Sequence, residues 1–355
     1  MNARNELEFL QRLGLAEEEA MSPTDRLAAF TLRKEVIEHR EFTRVIREIA
    51  RVHHRGLKAG VADGILLVAQ TGSGKSTALD FYEARFPRTR TKEGANIPVL
   101  RVDTPESPSV KTLAEAILDA LGDGAASQGT ATAKTRRIEL FFRKCGVQLL
   151  LIDEFQHFID GHRTAEFKRV SDWLKNLIRR ARIPVVLAGL PRAIAVVNSN
   201  PQLRRRFGAP HYMKPFGFQT KAQQLDFRGV LKDLQESVPV PCVDFSEANM
   251  ARRFFYASCG LIDYVVKIID DAVSRGGSGA DGAITQEDLA QAFVRSVWRE
   301  APESLNPFVK GASLRVLKGP GEPFDIWDDI DQYTSAGHAK RKNTGKTKSI
   351  SRRGH

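Results

Sequence analysis

Residues Ala69 to Thr77 read AQTGSGKST, and their types and spacing suit one task, holding a chain of phosphates. They match G-x-x-x-x-G-K-[ST] at every position except the first, where Ala69 replaces Gly. Small residues at Gly72, Ser73 and Gly74 let backbone N–H groups turn inward onto an anion, and a helix opening directly afterwards aims its positive end the same way. Lys75 would bridge the β- and γ-phosphates of ATP, Ser76 would ligate Mg²⁺, and Thr77 would sit near the base or the α-phosphate. The alternative, a Gly/Ser turn that merely contains Lys-Ser, does not require a strand before it and a helix after it, and both are expected here.

The second element is LLLIDE, Leu149 to Glu154, four apolar residues that lead into adjacent carboxylates about 78 residues beyond the loop. Ligands of open α/β sheets bind at the carboxyl ends of the strands, which is where this pair falls. Asp153 would hold the Mg²⁺ ion through water, and Glu154 would orient and polarise the water that attacks the γ-phosphate. Adjacent Asp-Glu favours hydrolysis over transfer of phosphate to a bound alcohol.

These residues need a scaffold, and the hydrophobic pattern supplies one. GILLVA (Gly64 to Ala69), IPVLRVD (Ile97 to Asp103), VQLLLIDE (Val147 to Glu154) and IPVVLAGL (Ile183 to Leu190) are short β-prone runs separated by helical stretches, including Val110 to Leu121 and Arg163 to Arg182. Alternation of buried strands with helices predicts a doubly wound parallel sheet, an α/β fold of three αβα layers. Before it, apolar positions from Leu27 to Val52 recur at helical spacing after Ser22-Pro23. Beyond a short strand at His211 to Phe216, three stretches read as helices: Gln219 to Val238, Ser246 to Arg275 and Thr285 to Arg299. The organisation expected is a helical lead-in (1–60), a nucleotide-binding core (61–216), a helical lid (217–300) and an extension with a disordered basic tail (301–355).

Composition excludes several classes. With 42% apolar and 27% charged residues, the 355-residue chain is neither fibrous nor wholly disordered. Three scattered cysteines offer neither a disulfide framework nor zinc-ligand spacing, and His53, His54, His157, His162 and His211 add none. A charged N-terminus and the absence of any apolar run near 20 residues predict a cytoplasmic protein without a membrane span. Of the net charge of +11, seven Lys/Arg and no acid lie in the last 18 residues. The basic excess is therefore concentrated in a tail, preceded by an acidic stretch in which Trp327 would be an aromatic anchor that docks a partner or packs back on the lid.

Taken together, AQTGSGKST, VDTPESPSVKTLAEAILDALG, LLLIDEFQHF, VVLAGLPRAIAVVNSNPQLRRRF and FQTKAQQLDFRGVLKDLQESVPV resemble the AAA+ ATPases, and more narrowly the TnsC/TniB regulators of DNA transposition, over roughly Arg33 to Arg299. The resemblance implies the AAA+ P-loop NTPase fold with a C-terminal helical lid. It implies a homo-oligomeric ring or filament, a hexamer or heptamer if a ring, on duplex DNA in a prokaryotic cytoplasm. It also implies partners, a transposase and a target-selection protein of TniQ/TnsD type. Arg204 to Arg206 fall where AAA+ proteins place the arginine finger that reaches a neighbour's nucleotide; Arg206 matches best, followed by Arg205, and an arginine suits developing phosphate charge. A solvated basic turn is the alternative.

Two departures stand out. Leu190 occupies the place of an expected polar sensor after the fourth strand, and CGLIDYVVKII puts Asp263 where the lid usually carries arginine, with Lys267 the nearest cation. Slow hydrolysis, stimulated by assembly, DNA or partners, is the expectation. For DNA, the candidates are Lys111, Lys134, Arg136 and Arg137, which would neutralise phosphates without reading sequence, with ordinary exposed helix charges as the alternative. Two other functions remain open: a helicase-loader or initiator-type DNA-remodelling ATPase, and a nucleotide-switched signalling or scaffold ATPase that binds no DNA.

Overall fold

The computed structural model describes residues 27–92, 94–160 and 164–325. The Ser22-Pro23 start signal, His162, Trp327 and the basic tail lie outside the described residues. The chain forms two compact units, one of residues 38–214 and one that joins residues 27–37 to 215–325.

The first unit contains β1 (Gly64–Ala69), a small antiparallel hairpin of β2 (Thr89–Thr91) and β3 (Gly94–Asn96), β4 (Val99–Asp103), β5 (Leu149–Asp153), β6 (Val185–Gly189) and β7 (His211–Met213). Five of these strands make one sheet in the order β4-β5-β6-β1-β7, with every neighbouring pair parallel. Its helices are α1 (Arg40–Ala59), α2 (Lys75–Ala84), α3 (Val110–Ala120), α4 (Ala131–Lys144), α5 (His157–Asp160), α6 (Thr164–Ala181), α7 (Ile194–Asn198) and α8 (Pro201–Phe207).

Side chains alternate across a strand, so each buried run serves two cores. Ile65, Leu67, Leu149, Leu151, Val186 and Ala188 face Phe42, Val45, Ile49 and Val52 of α1 and Ala78 and Leu79 of α2. Leu66, Val68, Leu150, Ile152, Val185 and Leu187 face Leu113 and Ile117 of α3, Ile138 of α4, Leu174 of α6 and Leu203 of α8. Two apolar layers on one parallel sheet give the three-layer αβα fold expected from the alternation. At the foot of β1 the approach of α8 is close: a Cβ on Gly64 would lie 2.5 Å from the Phe207 ring.

The lead-in does not behave as one segment. The 42-45-49-52 stripe of α1 packs on the sheet, whereas Thr31 and Leu32 belong to the helical unit, where the Thr31 hydroxyl and the Leu32 N–H donate to the Asp270 carboxylate at 2.7 and 2.8 Å.

The second unit is helical: α9 (Lys221–Glu236), α10 (Ala248–Ser258), α11 (Ile262–Ser274) and α12 (Gln286–Ser296). The single helix expected over Ser246 to Arg275 is two, because Cys259 (φ +52°) and Gly260 (φ +74°) turn left-handed between them. Gly260 accepts the Phe216 N–H at 2.9 Å, and a Cβ there would overlap the Phe216 carbonyl. Glycine is thus required by both angle and space. Residues 301–325, expected as an extension, pack into this unit. Phe308 stands edge-on to Phe254 at 5.0 Å, the Asn306 amide donates to the Ala290 carbonyl at 2.9 Å, and Leu317 and Phe324 are buried.

Candidate active site

The loop that leaves β1 reverses direction through two left-handed glycines, Gly72 (φ +77°) and Gly74 (φ +84°), with the Ser73 N–H closing on the Gln70 carbonyl at 3.2 Å. Gly74 is the N-cap of α2, and no side chain caps that helix. Its positive end is therefore left to an external anion. Ser73 Oγ is buried and has no hydrogen-bond partner among the described residues, an orphan that phosphate oxygens would satisfy. Thr77 is exposed.

Lys75, only 6% exposed, turns back to the end of β5, and its Nζ donates to Asp153 Oδ1 at 2.6 Å and Glu154 Oε1 at 2.8 Å. Ser76 Oγ donates to Asp153 Oδ2 at 2.7 Å. Four residues singled out from two motifs thus converge through hydrogen bonds. Burial alone would push the Asp153 carboxyl up. The Lys75 ammonium, hydrogen bonds from Lys75 and Ser76, and the Glu154 N–H outweigh it and hold the group below its ordinary value. Glu154 has φ +52°, a conformation that costs a non-glycine residue about 1–3 kcal/mol and that collects at functional sites. The turn is held by the Glu154 N–H on Asp153 Oδ1 at 2.8 Å and by the Phe155 N–H on the Ala188 carbonyl at 2.9 Å.

Three neighbours had no motif to mark them. Arg101 on β4 pairs with Asp80, with Asp153 at 3.4 Å and with Asp103 at 3.5 Å, adding a second cation behind the buried carboxylate. Thr104 donates through its N–H and hydroxyl to the Asp153 carbonyl at 3.0 and 2.7 Å, and its own carbonyl meets His157 Nδ1 at 3.0 Å. Gln156, 2% exposed, donates from Nε2 to Glu154 Oε2 and accepts the Leu190 N–H on Oε1 at 3.0 Å. A Gln two residues after an acid is unremarkable in sequence, since its partner Leu190 is brought alongside only by the pairing of β5 with β6.

The remaining candidates separate. On α8, Arg204 and Arg205 are exposed, while Arg206 is half-buried and donates to the Ala62 carbonyl at 3.3 Å. Lys111 at the start of α3 and Arg136 on α4 are exposed. Lys134 is not available to a DNA phosphate: it is fully buried, donates to the Ala126 carbonyl and pairs with Glu115 at 3.0 Å. Arg137 pairs with Asp123 at 2.6 Å and donates to the Ala125 carbonyl at 2.7 Å, which ties it to the turn between α3 and α4. Helical spacing predicts both as exposed, since it does not reveal which turn folds over a side chain. In the helical unit, Asp263 is paired to Lys267 at 2.6 Å one turn along α11.

The donor set fits a magnesium nucleotide. Ser76 Oγ and the Asp153 carboxylate, 2.7 Å apart, are the oxygen side chains that could hold a divalent ion together with water and substrate oxygens. No described helix is long and apolar enough to cross a membrane.

Among solved structures, the chain is similar to the Aeropyrum pernix ORC2 protein in its ADPNP-ADP complexes (TM-score 0.53, 14% identity, 78% of this chain and 72% of that one). It is similar to the Aeropyrum pernix ORC1 protein in complex with DNA (TM-score 0.53, 16% identity, 76% and 67%) and to Cdc6p from Pyrobaculum aerophilum (TM-score 0.53, 13% identity, 79% and 75%). At such identities the likeness establishes the fold, that of the AAA+ P-loop NTPases with a helical C-terminal region. No curated protein sequence matches the chain. The family described as Bacterial TniB protein matches residues 27–216, which include the loop, both carboxylates, Gln156 and the α8 arginines, and the chain belongs to that TniB family.

Proposed function

We propose that this chain is an ATP-hydrolysing regulator of DNA transposition that oligomerises on duplex DNA and links target-site selection to recruitment of a transposase. The observation that carries the nucleotide part is the convergence of Lys75, Ser76, Asp153 and Glu154 beneath an uncapped helix start. Membership of the TniB family supports the transposition part. Backbone N–H groups of Gly72, Ser73 and Gly74 with Lys75 would hold the phosphates, and Thr77 would sit at the α-phosphate or base. Ser76 and Asp153 would hold Mg²⁺, which supplies charge neutralisation across the β- and γ-phosphates. Glu154 would take the proton of the attacking water as the bond from the γ-phosphorus to the bridging oxygen breaks, leaving ADP and inorganic phosphate.

The exposed Arg205, more than the tethered Arg206, is offered to the nucleotide of a neighbouring copy, which makes assembly part of the mechanism. Lys111 and Arg136 are the DNA contacts this reading retains. Leu190 at the end of β6 and the Asp263–Lys267 pair in the helical unit support slow turnover, suited to a switch that persists on DNA in its ATP form. The partners are a transposase and a target selector of TniQ/TnsD type.

The test is sedimentation of the full chain with labelled duplex DNA at fixed salt, comparing a slowly hydrolysed ATP analogue with ADP, with Lys75→Ala as control. Large DNA-bound assemblies only with the analogue, absent in the variant, are expected. A monomer indifferent to DNA in both states would sink the DNA reading and shift the weight to a signalling ATPase.

A further inference from the structure

We propose that Gln156 is the positioning residue of the hydrolytic site and supplies, from the extension of β5, the polar contact that Leu190 does not provide at the end of β6. This rests on the ATPase reading above. The chemistry sets the orientation of the amide. The Leu190 N–H is only a donor, so it must face Oε1 (3.0 Å), and that turns Nε2 onto Glu154 Oε2. The Gln156 side chain is 2% exposed, so its amide is withdrawn from bulk water. Space for it is made by Gly189: a Cβ there would lie 2.7 Å from Gln156 Oε1 and 3.2 Å from its backbone nitrogen.

The two oxygens of Glu154 are consequently held by different groups, Oε1 by Lys75 at 2.8 Å and Oε2 by Gln156. When phosphates claim Lys75, Oε1 becomes free to accept a proton, while Gln156 keeps Oε2 and with it the direction of the carboxylate. Without that second tether the freed carboxylate swings through its rotamers, and near-attack geometry is lost. A second tie runs in parallel: Arg192 forks onto Asp160 at 2.6 and 3.1 Å. The turn that carries the base is thus bound at two points to the segment that continues into α7, α8 and Arg204 to Arg206. A rearrangement of that segment on assembly would reach Glu154 through Gln156.

The experiment uses the full chain with duplex DNA and Mg-ATP and compares Gln156→Leu with the nearly isosteric Gln156→Glu, which keeps the acceptor for Leu190 but replaces the donor to Glu154 with a carboxylate that repels it. Three quantities are read: kcat, the Kd for a fluorescent ATP analogue, and amide hydrogen exchange of the peptide containing Leu190 without nucleotide. Both variants should lower kcat by about tenfold or more, with the analogue Kd within about twofold of the wild type. Exchange at Leu190 should quicken in Gln156→Leu and stay protected in Gln156→Glu. In a Glu154→Gln background, Gln156→Leu should change single-turnover hydrolysis by less than about twofold, because it acts only through that carboxylate.

Wild-type kcat in Gln156→Glu overturns the inference even if the leucine variant fails to fold. So does an equal loss in both backgrounds, or a loss of nucleotide binding that matches the loss of rate. Failure of the underlying reading looks different: a wild-type chain whose hydrolysis is absent, or is indifferent to Glu154→Gln, removes the ATPase assignment and the role of Gln156 with it.

Discussion

Replacing Glu154 by Gln tests the site most sharply, because it should lower the rate and raise nucleotide affinity together. The carboxylate is the group placed to accept a proton from water, and removing such a base costs about 10²–10⁴-fold in rate. The affinity effect follows from Lys75. Its ammonium is shared between Asp153 at 2.6 Å and Glu154 at 2.8 Å, so bound phosphates must compete with both. A buried charge-assisted bond is worth about 1.5–3 kcal/mol, but the Glu154 side chain is 37% exposed, and solvent screening reduces the contribution to about 1 kcal/mol. Removing that competitor should tighten ATP about fivefold. The introduced amide cannot keep both bonds, since it presents NH₂ to a donor on one side, Lys75 or Gln156.

The assay is equilibrium binding of a fluorescent ATP analogue at fixed Mg²⁺ and salt, paired with single-turnover phosphate release. Release at the wild-type rate would remove Glu154 from the chemistry. Binding weakened tenfold would show that the Lys75–Glu154 pair organises the site for nucleotide and does not compete with it.

Three further outcomes follow from the same geometry. Lys134→Met should destabilise the chain by about 2–4 kcal/mol in denaturant, because the Ala126 carbonyl and Glu115 lose their buried donor, and it should leave DNA affinity per folded molecule unchanged; weaker DNA binding at full stability would return Lys134 to the DNA surface. Arg205→Ala should retain ATP binding and lose assembly-stimulated hydrolysis, yet regain activity when mixed with Glu154→Gln, whose arginine completes the intact site of the other variant; a mixture no better than the sum of its parts refutes an arginine supplied in trans. His39, the N-cap of α1, is lowered from 6.5 to about 4, chiefly by burial, with Glu41 opposing. Between these values the unfolded chain binds more protons than the folded one, so this contribution is full above about pH 6.5 and is lost as pH falls toward 4. Denaturation curves of wild type and His39→Asn, whose cap does not titrate, should diverge over that window, and parallel curves would refute the assignment.

The sequence by itself determined the local items: a phosphate loop between an apolar run and a helix, an acid pair ending another apolar run, and the alternation that makes a parallel sheet. Each is encoded in consecutive residues through period, turn chemistry and charge, and in the fold the loop and the acid pair lie together, Lys75 on Asp153 and Glu154. Partnerships across strands were not legible. Gln156 gains its meaning only when β6 lies beside β5 and delivers the Leu190 N–H, and Arg101 only when β4 sets it against Asp153. Burial is not encoded locally where a charge hides beneath a turn, since Lys134 and Arg136 are two residues apart on one helix and only the chain folding over Lys134 removes it from water. The break at Cys259 and Gly260 likewise needed Phe216 to approach the glycine. Local patterns specify elements because neighbours in sequence share one backbone. Which buried polar group finds which partner is decided by the packing of elements far apart in the chain, and there only the tertiary structure could speak.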